Sequence, residues 1–135
     1  MCLDIFQMFD VYCKEIRSLV EFAVPVWHSG LTQQNAKDIE RVQRVAFQII
    51  LQDNYVDYQM ACVTFNTLTL ERRREKLCLT FANKNLKTDT SFFKLVDTCV
   101  NTRSKKKLVQ EYKCRTSRCE RTSLPFLAKL LNKNN

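Results

Sequence analysis

The sequence predicts a mainly α fold: a small bundle of about four or five helices, then a basic, poorly regular C-terminal segment and a short last helix. Three observations lead there. The 135-residue chain holds one glycine, Gly30, and two prolines, Pro25 and Pro125; tight hairpins favour glycine, which disfavours a β-sandwich or barrel. Apolar residues recur at three- and four-residue steps along most of the first 90 positions. The length suits one module with one core.

From Ile5, the residues Ile5, Phe9, Tyr12, Ile16, Leu19 and Ala23 form one apolar stripe, the mark of an amphipathic helix. Pro25 is expected to stop it, because the residue before proline is pushed out of the helical region. Residues 24–30 then read as a turn whose Trp27 packs back on that helix. Thr32 is the expected N-cap of a second helix with apolar positions Ile39, Val42, Val45, Ala46, Ile49 and Ile50. Asp53 and Asn54 break it, and Asp57 caps a short helix to about Phe65. Thr69 or Thr67 caps a stronger helix, with Leu70, Leu77 and Phe81 on one face and Arg72, Arg73, Arg74, Glu75 and Lys76 on the other; Asn83 and Asn85 suit its end. Phe92, Phe93, Leu95 and Val96 read as one further helical turn. Residues 101–121 lack a stripe and read as extended or disordered. Ser123, with Pro125 in the first turn, opens a last helix carrying Phe126, Leu127, Leu130 and Leu131.

The charge is segregated. Residues 1–99 hold 12 basic and 12 acidic side chains, whereas residues 100–135 hold 10 basic and 2 acidic, so the whole net charge of +8 lies in the last quarter. The expected organisation is therefore a helical body over 1–99 and a basic tail over 100–135. A basic block of this kind points to nucleic acid, an anionic surface or an acidic partner. Arg103, Lys105, Lys106, Lys107, Lys113, Arg115, Arg118 and Arg121 alternate with Tyr112 and hydroxyls at Thr102, Ser104, Thr116, Ser117 and Thr122. Cations, small donors and a stacking ring are what phosphate tracking requires. Arg72 to Arg74 fan over about 200° of a helix, so they cannot all meet one ligand; Arg72 and Arg73 join the candidate set.

Several chemistries find no footing. One glycine excludes a P-loop and a dinucleotide fingerprint. The single histidine, His28, reads as a surface residue of a turn, and without a base histidine no serine or threonine is a credible nucleophile. Cys114 and Cys119 lack a second Cys/His pair at zinc spacing. Asp53 with Asp57, and Asp38 with Glu40, are explained by capping and dipole roles. Neither a metal nor a cofactor is expected, and the chain reads as a non-enzyme. Seven scattered cysteines and a start containing Asp4 and Asp10 read as free thiols in a reducing cytoplasm or nucleus, mostly as core fillers. No apolar run approaches the length of a bilayer span.

The residues also carry a resemblance. Tyr12-x4-Arg17-Ser18-x2-Glu21-Phe22-Ala23-x-Pro25-Val26-Trp27, then Leu31-Thr32, Ile39-Glu40-Arg41-Val42-Gln43 and Ile49-Ile50, resemble the stretch after the polymerase palm in reverse transcriptases of non-LTR (LINE-type) retrotransposons. Tyr55-x2-Tyr58, Leu68-x-Leu70-Glu71-Arg72-Arg73, Leu77-x-Leu79-x-Phe81-Ala82 and Ser123-x-Pro125-Phe126-Leu127-x2-Leu130-Leu131-Asn132 resemble the end of those polyproteins. The likeness covers about residues 9–132, each motif being loose alone and the order of them more specific. It implies a helical thumb and C-terminal tail, a relic or fragment lacking the palm's paired aspartates, and therefore no catalytic residue to carry over. The partners it implies are RNA or an RNA–DNA hybrid, held by its backbone, and upstream polymerase domains. The alternative expectation is a helical interaction module whose apolar face meets a partner protein or a second copy.

Overall fold

The computed structural model describes residues 4–88, 93–95 and 108–134, which are mainly helical, with no strand among them. In chain order the helices are α1 (Ile5–Val11), α2 (Ser18–Val20), α3 (Val24–Trp27), α4 (Gln33–Leu51), α5 (Tyr58–Thr64), α6 (Leu70–Lys87), α7 (Ser117–Glu120) and α8 (Ser123–Lys133). They fall into two compact units: Met1–Ala23 with Leu31–Arg74, and Val24–Gly30 with Glu75–Asn135. Each has its own hydrophobic core, where the length had suggested one. The grouping does not follow the expected boundary near residue 100, a position that lies outside the described residues.

The first unit starts with a reciprocal cap. Asp4 accepts from the Ile5 amide at 2.8 Å, and Gln7 reaches back to the Asp4 amide at 3.1 Å. α1 runs into a π-helical segment, Tyr12–Arg17, before α2. A π turn holds an extra residue, so the expected stripe rotates off the core after Tyr12. Tyr12 is buried, but Ile16 and Leu19 are exposed. Thr32 caps α4 as expected, its Oγ1 accepting from the Asn35 amide at 3.2 Å. The expected face of α4 is corrected: Val42, Val45 and Ile49 are exposed, and Gln43, Phe47, Ile50 and Leu51 are buried. Asp57 caps α5, as expected. The core is an aromatic cluster centred on Phe47, which lies 5.3 Å from the ring of Phe65 and about 6 Å from Phe9, Tyr12 and Tyr58. Phe9 stacks on Phe65 at 4.3 Å. Such pairs add about 0.5–1.5 kcal/mol each beyond burial.

The second unit is built from smaller side chains: Val24, Cys78, Ala82, Phe93, Val109, Leu127, Ala128 and Leu131. The expected turn over 24–30 is a helical turn, α3, continued as a 3-10 turn over His28–Gly30, and Trp27 packs on this second core. Helix α6 buries Leu70, Arg74, Cys78 and Ala82, a clean four-residue repeat, whereas Phe81 is exposed. Its first turn belongs to the first unit and the remainder to the second. The expected helical turn around Phe93 is also corrected. Leu95 pairs antiparallel with Val109, and the Gln110 amide donates to the Lys94 carbonyl at 2.8 Å, so these residues are extended; Phe92 and Val96 lie outside the described residues. The last helix begins at Ser123, as expected, behind Thr122.

Three non-glycine residues occupy the left-handed region: Ala23 (φ 50°), Gln52 (φ 46°) and Asn66 (φ 48°). Gly30 is not among the positive-φ positions.

Candidate nucleic-acid interface

The expected phosphate-tracking residues divide three ways. Arg103, Lys105, Lys106 and Lys107 lie outside the described residues. Lys113, Arg115, Arg118 and Arg121 all lie in the second unit, are exposed, and carry no ion pair among the described residues. Tyr112, which precedes them in the chain, is 42% exposed. Arg72 and Arg73 lie in the first unit. Arg72 is exposed, but Arg73 is half-buried and forked onto Glu21, Nη2 donating to Oε2 at 2.9 Å and Nε to Oε1. That bond holds the guanidinium even more firmly in its charged form, so Arg73 is engaged within the fold.

Val109 and Asn132 anchor the stretch of chain that precedes these four cations. Val109 is fully buried, and its Leu95 pairing fixes the chain on one side. On the other, Asn132 of α8 accepts from the Leu108 and Val109 amides at 2.9 and 3.0 Å, and its amide donates to the Val109 carbonyl at 2.9 Å. The stretch 108–111 is thereby anchored with Val109 in an extended pairing, one of the two forms expected of this segment, while the helical turn α7 over Ser117–Glu120 departs from that expectation. The buried valine and a single asparagine supply the local order that periodicity could not reveal. Two expected phosphate donors act locally instead. Thr116 Oγ1 caps α7 by accepting from the Cys119 amide at 3.3 Å, and Thr122 Oγ1 donates to the Cys119 carbonyl at 2.7 Å.

Sequence reasoning missed a buried polar network in the first unit. Gln43 is fully buried; its Oε1 accepts from Tyr12 Oη at 3.1 Å, and its Nε2 donates to Tyr58 Oη at 3.0 Å and to the Leu68 carbonyl at 3.2 Å. Tyr58 Oη in turn donates to Glu40 Oε1. Burial pushes both phenols above their ordinary range, and for Tyr58 the bond to Glu40 adds to it. Glu40 also caps α6 from another helix: its oxygens accept from the Leu70 and Glu71 amides, each at 3.0 Å. Arg74, 1% exposed, stands 3.9 Å from Glu40 Oε2, while its Nε and Nη1 have no hydrogen-bond partner. Arg74 and Glu40, with Lys37, Arg44, Glu71, Gln33 and Ala36, line an open cleft of about 500 Å³.

Of the paired carboxylates, Asp57 caps α5 as expected, whereas Glu40 caps α6 from another helix and Asp38 accepts from Gln34 at 3.1 Å. Among the described residues no three His, Cys, Asp or Glu side chains come together as a metal site. His28 is half-buried, its ring edge-on to Phe126 at 5.3 Å. Cys62 and Cys78 are buried core fillers. Among the described residues no helix is long and apolar enough to cross a membrane. No family model matches the sequence, and no curated protein or solved structure matches it either.

Proposed function

We propose that the chain is a non-catalytic helical segment that binds nucleic-acid backbone without sequence preference, of the kind that follows the palm in non-LTR retrotransposon reverse transcriptases. The carrying observation is the set of four exposed cations at 113, 115, 118 and 121, which have no ion pair among the described residues, next to the exposed Tyr112. Four phosphate contacts give a log-affinity against log-salt slope of about −3.6 on duplex DNA. Replacing Lys113, Arg115, Arg118 and Arg121 together by Ala is expected to flatten the slope by that amount on an RNA–DNA hybrid as well. Equal affinity and equal slope in the quadruple variant, with its helicity intact, would overturn the reading.

A second reading, an interaction module, is favoured by one feature. In the first unit Val11, Ile16 and Ile49 are exposed around an apolar groove of about 210 Å³ that Met8, Ala46 and Ile50 complete. Concentration-dependent association that Ile49→Glu abolishes would support it. A monomer at all concentrations, with no partner-dependent change, counts against it.

A further inference from the structure

We infer that Cys114 and Cys119 form a two-thiol exchange site, which reacts with low-molecular-weight disulfides such as glutathione disulfide and closes to an intramolecular disulfide. The two Sγ atoms lie 3.1 Å apart, both thiols being free. Cys119 is exposed and Cys114 partly buried, so the incoming disulfide reaches Cys119 first. The backbone keeps the pair together. The amide of Cys119 is held by Thr116 Oγ1 and its carbonyl by both the hydroxyl and the amide of Thr122. Cys114 follows the stretch anchored by Val109 and Asn132. Lys113, Arg115 and Arg118 flank the pair and attract an anionic disulfide. The bond to Cys119 holds the Cys114 thiol above its ordinary range, which disfavours it as the first attacker and leaves that step to Cys119.

The exchange balances as follows. The Cys119 thiolate attacks one sulfur of glutathione disulfide, breaking its S–S bond; a mixed disulfide forms, and the first glutathione thiolate leaves and takes up a proton. Cys114 loses its proton to solvent and attacks Cys119 Sγ, expelling the second glutathione. Two protein thiols are oxidised and one disulfide is reduced to two thiols.

The test equilibrates the full chain in glutathione redox buffers, quenches with acid, alkylates the remaining thiols and maps the peptides. A flexible chain already brings two nearby thiols together at millimolar effective concentration, so the unfolded chain in guanidinium is the reference. The closure constant of the 114–119 ring is expected to be about tenfold or more larger in native buffer, about 30 mV in potential. Cys114→Ser is expected to stop at glutathionylated Cys119, and Cys119→Ser to leave Cys114 slower to react than Cys119 is in the parent. Equal closure constants folded and unfolded, or mixed disulfides persisting on both residues, would overturn the inference; this measurement needs no variant.

Discussion

Gln43 sits where an apolar side chain would be expected, and its neighbours explain why a glutamine is held there. It accepts from one buried phenol and donates to another and to a buried carbonyl. Gln43→Leu keeps the volume but strands the Tyr12 hydroxyl and the Leu68 carbonyl, so urea unfolding should show a loss of about 2–5 kcal/mol. The cost should fall when Tyr12→Phe is added, because the stranded hydroxyl goes with it. Arg74 is the opposite case. With no hydrogen bond on Nε or Nη1 and the Glu40 carboxylate a distant 3.9 Å from Nη1, the guanidinium is poorly compensated for its burial, and Arg74→Met should cost less than about 1 kcal/mol or stabilise the fold. The phenols also set a pH limit. Burial raises Tyr12 and Tyr58 above the ordinary value near 10. Their contribution is complete below that value and is lost as pH rises past it, since only the unfolded phenols then ionise. Stability should fall above about pH 10, and less steeply in Tyr12→Phe. None of these roles was legible in advance, because a glutamine or arginine reads as surface until its buried partners are known.

At the scale of elements, the local signals were the readable ones. Thr32, Asp57 and Thr69 all cap the helices that follow them, because a cap needs only its own side chain and an amide two or three residues on. Faces were misread for two reasons: the π-helical segment that contains Ile16 turned it outward, and on α4 the distant partners of Gln43 and Phe47 drew those two side chains inward and left Val42 and Val45 exposed. The cap that Glu40 gives α6 spans 30 residues of sequence, beyond any local pattern. Its weight can be compared with the local cap directly. Thr69 Oγ1 lies 3.4 Å from the Arg72 amide, a long bond, and Thr69→Ala should cost about 1 kcal/mol or less. Glu40→Ala should cost about 2–4 kcal/mol in the same unfolding assay, since it strands two amides and leaves the buried Arg74 without its carboxylate. Of the candidate interface, the basic composition was legible; that Arg73 is engaged by Glu21, and that Asn132 anchors residues 108–111, was not.

For the whole molecule, the segregation of charge and the distribution of the core do not coincide. The last 36 positions carry the entire net charge, yet Val109, Leu127, Ala128 and Leu131 among them make up half of the second core's buried residues. Deleting residues 100–135 should therefore lower helicity in circular dichroism by more than the deleted helices account for, as α6 loses the surface that covers Cys78 and Ala82. Charge-neutralising substitutions separate binding from folding where truncation does not. The one glycine of the chain is likewise placed apart from the bends that would use it. A Cβ at Gly30 would meet nothing within 4 Å, and its φ is not positive, while Ala23 bears a left-handed bend that costs an L-residue about 1–2 kcal/mol. Exchanging the two, Gly30→Ala with Ala23→Gly, leaves composition untouched and should raise the melting temperature: identical ingredients, reordered, with the strain released.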